Sequence, residues 1–94
     1  MNTQETLEYA GTLFRRASVA LTVSDERDIM SKCKAASVGF QASQIARSIG
    51  ELDRMVARLE SSPEDPVALQ SVQAYATAFS VQLDFLELTL TMTL

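Results

Sequence analysis

The sequence contains no histidine and no tryptophan, and only one cysteine, two prolines and three glycines in 94 residues. Without histidine, Ser-His and Cys-His nucleophile pairs are excluded. Cys33 has no second cysteine for an internal disulfide and no histidine for a zinc site, and we predict a small buried helix residue there. A glycine-rich phosphate loop is also missing. We therefore predict that the chain is not an enzyme, with no catalytic residue, metal, cofactor or small-molecule substrate.

The charge balance disfavours nucleic acid and anionic lipid as partners. Twelve acidic and eight basic residues give a formal net charge of −4. Both polyanions require a basic face, and the bases are scattered over residues 15–58. A hydrophobic content of 47% is too high for a disordered chain. One small globular domain, residues 1–94, is the expectation.

The N-terminal residues carry neither the basic nor the apolar region of a secretory signal. We expect the protein to stay in a cytoplasm or to leave it by a route that needs no cleavable signal. The apolar C-terminal region includes Asp84 and Glu87. A carboxylate at the centre of a membrane costs roughly 2.5–3.5 kcal/mol, so a membrane span is disfavoured.

Hydrophobic spacing predicts two helices before the prolines. The first covers residues 4–21 and has an apolar stripe at alternating spacings of three and four, widened by Leu13 and Ala20: Leu7, Ala10, Phe14, Ala17 and Leu21. Ser24 then resembles an N-cap, which predicts a break at residues 22–24 and a second helix over 24–60. The second helix has an apolar stripe at alternating spacings of four and three: Val38, Ala42, Ile45, Ile49, Leu52, Val56 and Leu59. Gly39 and Gly50 leave its continuity open.

Pro63 and Pro66 predict a turn over residues 61–66. A residue before proline disfavours the helical region, whereas proline suits the first turn of a new helix. The third helix is predicted over residues 66–88, and no lysine or arginine follows Pro66. Residues 86–94 alternate apolar and polar types, so strand and helix are both open. We favour helix there, because a lone strand would have no pairing partner.

The predicted fold is all-α. It is an elongated helical hairpin with an additional N-terminal helix, in which the second and third helices pack antiparallel across the turn. The third helix is apolar on nearly all sides, and a chain of this length has little other protein to cover it. We therefore predict self-association or a protein partner. The predicted interaction residues are Leu69, Val72, Gln73, Ala76, Phe79, Leu83, Leu86 and Leu90.

The turn and the helix after it resemble those of bacterial type III secretion needle and inner-rod subunits. In that family a P-x-x-P turn precedes a leucine, an aliphatic residue, a glutamine and an aromatic residue. Leu69, Val72, Gln73 and Phe79 stand at those spacings after Pro63 and Pro66. The resemblance covers roughly residues 55–80. It implies a bacterial helical hairpin that polymerises through its C-terminal helix into a secretion conduit.

Two other functions use the same pattern. A cytoplasmic secretion chaperone or adaptor would hold a partner helix on the apolar third helix and form a complex of fixed stoichiometry. A small helical-bundle inhibitor or immunity-type protein would be a folded monomer with one target. The dependence of the mass in solution on concentration separates these readings from self-assembly.

Overall fold

The computed structural model describes residues 1–30 and 35–92, with side chains over residues 1–26 and 39–91. It contains three helices: α1, Thr3–Met30; α2, Ala35–Ser61; and α3, Pro66–Met92. No strand occurs in these described ranges. The predicted all-α fold of three helices is confirmed. Cys33, for which burial was predicted, lies outside the described residues.

Hydrogen bonds between side chains define the direction of each helix. Ser48 of α2 bonds to Gln82 of α3, and Gln41, earlier in α2, bonds to Thr89, later in α3. These two helices are therefore antiparallel, as the sequence predicted. Gln73 bonds to Thr6 of α1, and further along α3 the carboxylates pair with Arg16, so α1 and α3 are parallel. The result is an up-down-up bundle with extents of 48 × 18 × 16 Å.

The helix ends follow from the capping chemistry in the sequence. Asn2 caps α1, because its Oδ1 accepts a 2.8 Å hydrogen bond from the Glu5 amide, and Glu5 reaches back to the Asn2 amide. Asp65 caps α3 through a 3.0 Å bond from the Val67 amide, with Pro66 as the first helical residue. The Thr3 hydroxyl donates to the Pro63 carbonyl at 2.9 Å. This bond fastens the start of α1 to the turn between α2 and α3.

The predicted break at residues 22–24 is wrong, because α1 continues to Met30. Ser24 is buried inside α1, and its hydroxyl donates to the Ala20 carbonyl at 2.8 Å instead of capping a new helix. Thr22 makes the same kind of bond to Ser18. A hydroxyl that is bonded to a carbonyl one turn back does not form the alternative backbone hydrogen bonds that favour turns. Serine and threonine are therefore tolerated inside this helix.

The buried face of α1 consists mainly of small residues and overlaps the predicted stripe, of which Ala10, Leu13, Ala17 and Ala20 are buried. Leu7, Phe14 and Leu21 are only half-buried at its edge. The fully buried positions recur at spacings of four and three: Thr6, Ala10, Leu13, Ala17, Ala20 and Ser24. Small side chains allow the backbone of α1 to approach the other two helices closely. Although its buried side chains are mostly small, α1 therefore packs against both α2 and α3.

Both open questions about helix continuity have answers within the described residues. Helix α2 passes through Gly39 and Gly50 without interruption, and neither glycine has a positive φ. Helix α3 continues to Met92 and not only to residue 88, so the preferred helical reading of residues 86–92 is confirmed. The hydroxyls of Thr89 and Thr91 donate to carbonyls one turn back, which lets these strand-favouring residues remain helical.

Replacing Gly50 by alanine is expected to raise the free energy of unfolding by up to about 1 kcal/mol, because alanine is the better helix former. Gly50 is exposed, and a Cβ added there would meet nothing within 4 Å. Urea unfolding followed by circular dichroism measures the change. Ala46→Gly, one turn earlier and also exposed, is the reciprocal control and should lower stability by a similar amount. A loss of stability in Gly50→Ala would contradict this account.

Candidate interaction surface

Most of the residues predicted to contact a partner lie in the core of the bundle. Val72, Ala76, Phe79, Leu83, Leu86 and Leu90 are all buried, and Leu69 and Gln73 are half-buried. This face of α3 is therefore covered within the described chain and supplies part of the bundle core. Helices α1 and α2 together enclose it. The turn residues Pro63 and Pro66 are exposed.

Gln73 connects α3 to the start of α1. Its side-chain nitrogen donates to the Met1 carbonyl at 3.0 Å and to the Thr6 hydroxyl at 3.1 Å. Thr6 is fully buried and donates in turn to the Asn2 carbonyl at 2.8 Å. The glutamine therefore satisfies a buried hydroxyl at the interface between α1 and α3.

A second apolar face of α3 points to solvent. The exposed fractions are 69% for Val67, 53% for Val81, 63% for Phe85 and 56% for Leu88. We call the whole exposed set the α3 stripe: Val67, Ala74, Ala78, Val81, Phe85 and Leu88. From Ala74 onward, each member follows a buried residue by two positions, which is roughly 200° around a helix. The α3 stripe therefore lies opposite the core.

The sequence contains the signal for this stripe. Ala74, Ala78, Val81, Phe85 and Leu88 recur at spacings of four and three, which is the repeat of a helix-packing seam. The buried residues of α3 show the same repeat two positions earlier. Two overlapping repeats on one helix do not indicate which of them the chain covers itself. The packing of α1 decides that question.

Polar pairs at the interface with α2 flank one side of the α3 stripe. The Ser48 hydroxyl donates to the Gln82 side-chain oxygen at 2.9 Å. One turn before the end of α3, the Gln41 amide donates to the Thr89 hydroxyl at 3.2 Å. These groups are satisfied within the bundle. The α3 stripe lies between these polar pairs and the side of α3 that faces α1. No helix of the described structure covers it.

An ion-pair cluster flanks the other side, and we call Arg16, Asp84 and Glu87 the Arg16 cluster. The Arg16 guanidinium lies 2.8 Å from Asp84 and 2.5 Å from Glu87. The pKa of the Arg16 guanidinium is raised above its ordinary value, first by the hydrogen bond to Glu87 and then by that to Asp84. Arg16 therefore remains charged at any physiological pH and holds the only charged side chains of α3 against α1.

The described part of α3 presents an apolar surface to solvent. No group of three or more Cys, Asp or Glu residues lies close enough together there to hold a metal ion. Over their described lengths, none of the helices combines the length and the hydropathy that crossing a membrane requires. The arrangement on α3 can bind another apolar surface, and its flanks can orient that surface by charge.

Comparison with known proteins identifies no relative. The chain matches no protein family, no curated protein and no solved structure.

Phe79→Asp is expected to unfold the protein, since Phe79 is 1% exposed and a buried unpaired carboxylate has no compensating partner there. The milder Phe79→Ala should cost about 3–5 kcal/mol of stability. Circular dichroism and urea unfolding measure both. Phe85→Asp, on the same helix but 63% exposed, is the matched control and should remain folded. A folded Phe79→Asp protein would contradict the described core.

Removing the Arg16 side-chain charge should destabilise the bundle only slightly. Its side chain is 35% exposed, and ion pairs with such exposure contribute up to about 1 kcal/mol. We therefore expect Arg16→Gln to lower the free energy of unfolding by less than that amount, with a smaller effect at high salt. Arg15→Gln is the control, because Arg15 bonds to Thr12 within α1. A loss above about 2 kcal/mol would show that the cluster does more than the usual exposed ion pair.

Proposed function

We propose that this protein is a non-enzymatic assembly subunit that associates with copies of itself through the α3 stripe. The observation that supports this most directly is the row of exposed apolar side chains from Ala74 to Leu88 on a helix whose opposite face is already buried. Contiguous apolar surface of this kind is uncommon on proteins that remain monomeric, and it usually marks an interaction site.

The outer faces of the other helices carry charges where α3 carries none. Glu8 and Arg15 are exposed on α1, and Arg47 and Arg54 are exposed on α2. On α3, the side chains between the two flanks of the stripe are apolar or uncharged. Exposed large apolar residues are isolated on the described parts of α1 and α2, as Val19 and Phe40 show, whereas α3 carries several in a row. This contrast supports a specific role for the α3 face.

The length of the stripe suits helix packing. Helix α3 contains 27 residues, so it is about 40 Å long. The stripe extends along most of that length at the spacing by which helices interlock side chains. Association through it would bury four large hydrophobic side chains on each copy: Val67, Val81, Phe85 and Leu88.

The turn between α2 and α3 supports a finer proposal, that the assembly belongs to a bacterial type III secretion apparatus. Pro63 and Pro66 have the spacing of the two turn prolines in the needle and inner-rod subunits. Assembly through the C-terminal helix is what that resemblance implies, and α3 is the helix with an exposed apolar face. A chaperone or adaptor of the same apparatus would use the same face but form a complex of fixed stoichiometry.

The mass of the protein in solution as a function of concentration tests the proposed self-association. We expect the wild-type protein to form oligomers at micromolar concentrations in sedimentation and light-scattering experiments. Phe85→Glu should shift the protein to monomer while its helical circular dichroism is unchanged, because the ring is 63% exposed in the single chain. Burial of a glutamate in the interface would cost several kcal/mol.

Val19→Glu is the matched control for this experiment. Val19 is 65% exposed, is also apolar, and lies on α1. Its substitution should leave association unchanged. A wild-type protein that stays monomeric at every concentration would overturn the proposed self-association. Equal effects of Val19→Glu and Phe85→Glu would instead show that the α3 stripe is not the specific surface.

A further inference from the structure

The side of the α3 stripe next to α2 is basic. Arg47, Arg54 and Arg58 are exposed and recur along about three turns of α2, and we call them the arginine row. Arg58 lines the same crevice of about 120 Å³ as Val67, which places the row beside the first residue of the stripe. Two acids lie on this side: Glu51 forms an ion pair with Arg54, and Asp65 lines the crevice together with Arg58.

The side next to α1 is acidic, and we call it the acidic border. Asp84 lies one helical turn from both Val81 and Leu88, and 64% of its side chain is exposed although it pairs with Arg16. Glu87 pairs with the same guanidinium and is 41% exposed. One cation facing two carboxylates leaves this end of the border negative.

The acidic border continues toward the start of α3. The bond between Thr6 and Gln73 places the first turns of α1 beside this part of α3. Glu5 and Glu8 are exposed there, and Arg15 is exposed further along α1. Together with the Arg16 cluster, the border carries four acids and two bases. The side next to α2, by contrast, carries the three bases of the arginine row and two acids, Glu51 and Asp65.

The two rows match in height along the bundle. The bond between Ser48 and Gln82 places Arg47 at the height of the Arg16 cluster. At the other end, Arg58 lines the crevice at the start of α3, close to the height of Glu5. Opposite charges therefore lie at equal heights on the two sides of one apolar stripe.

We infer that two copies pair through their α3 stripes with the two α3 helices parallel, about a two-fold axis that runs along the helices. In this arrangement the arginine row of each copy faces the acidic border of the other copy. An antiparallel two-fold pair would set arginine row against arginine row and acidic border against acidic border. Charge complementarity of this kind selects the orientation of an association whose energy comes from apolar burial.

The inference rests on the proposed self-association and narrows it. A two-fold pair uses the same face on both copies, so it leaves no α3 stripe free for further growth. Phe40, which is 65% exposed and precedes the Gln41 that bonds to Thr89, would extend the contact at the end of the pair where Leu88 lies. Fixed stoichiometry favours an adaptor-like component over an open-ended rod.

Cysteine cross-linking tests the orientation. In a background of Cys33→Ala, Ala74→Cys and Leu88→Cys are prepared as separate variants, 14 residues or about 21 Å apart along the stripe. In a parallel pair each residue meets its own copy, so each variant alone should form a disulfide-linked dimer under mild oxidation. In a mixture of the two variants, dimers that join position 74 to position 88 should not outnumber the dimers that join identical positions.

The other outcomes are separable. Cross-links that appear only in the mixture would overturn the parallel pair and leave the proposed self-association standing. Oligomers that grow with concentration beyond two copies would overturn the closed pair alone. If both the wild-type protein and the Cys33→Ala background are monomeric at all concentrations, both proposals are overturned. The background must therefore first reproduce the wild-type mass profile.

Salt gives an independent measurement of the charge argument. Raising sodium chloride from about 50 to about 500 mM shortens the screening length severalfold. The dimer dissociation constant, from sedimentation, is expected to rise by threefold or more if opposite charges face each other. A constant that falls with added salt would mean that like charges meet, and it would overturn the parallel arrangement.

Discussion

Burial of one face of α3 against both other helices is the constraint on which the rest of the structure depends. Phe79, Leu83 and Leu86 provide the bulk of that face, and α1 meets it with alanines and hydroxyl side chains. Because bulk on one helix faces small residues on another, all three helices pack closely in a short chain. The same arrangement determines what remains outside, since a helix enclosed on one side by two neighbours leaves its opposite side to solvent.

Charge and hydrophobicity are divided among the helices in a way that follows this packing. Among the described side chains, Glu5, Glu8 and Arg15 of α1 and the arginine row of α2 are exposed, whereas α3 contributes only Asp84 and Glu87, both paired with Arg16. The polar contacts that connect helices lie at the edges of the core. An apolar surface is therefore left between two borders that differ in charge, and this is the feature on which both proposals rest.

Much of the fold follows from the sequence alone. The Pro63–Pro66 turn and the seam of α2 are local patterns: the structure contains the turn, and Ile45, Leu52, Val56 and Leu59 of the seam are buried. The end of α1 could not be predicted because the hydroxyl of Ser24 suits a cap or an intrahelical bond equally well, and only burial decides between them. The candidate site shows the same limit. Its stripe is visible as a repeat, but which repeat of α3 is covered depends on long-range packing by α1.

The sequence separation of the contacts has a consequence for the order of folding. The turn between α2 and α3 is short, so these helices meet at little cost in loop entropy, whereas the Arg16 and Gln73 contacts join residues 67 to 72 positions apart. We expect the contacts between α2 and α3 to form before those between α1 and α3. Until α1 docks, α3 presents two apolar faces instead of one. The newly made chain is then more prone to aggregation than the folded bundle.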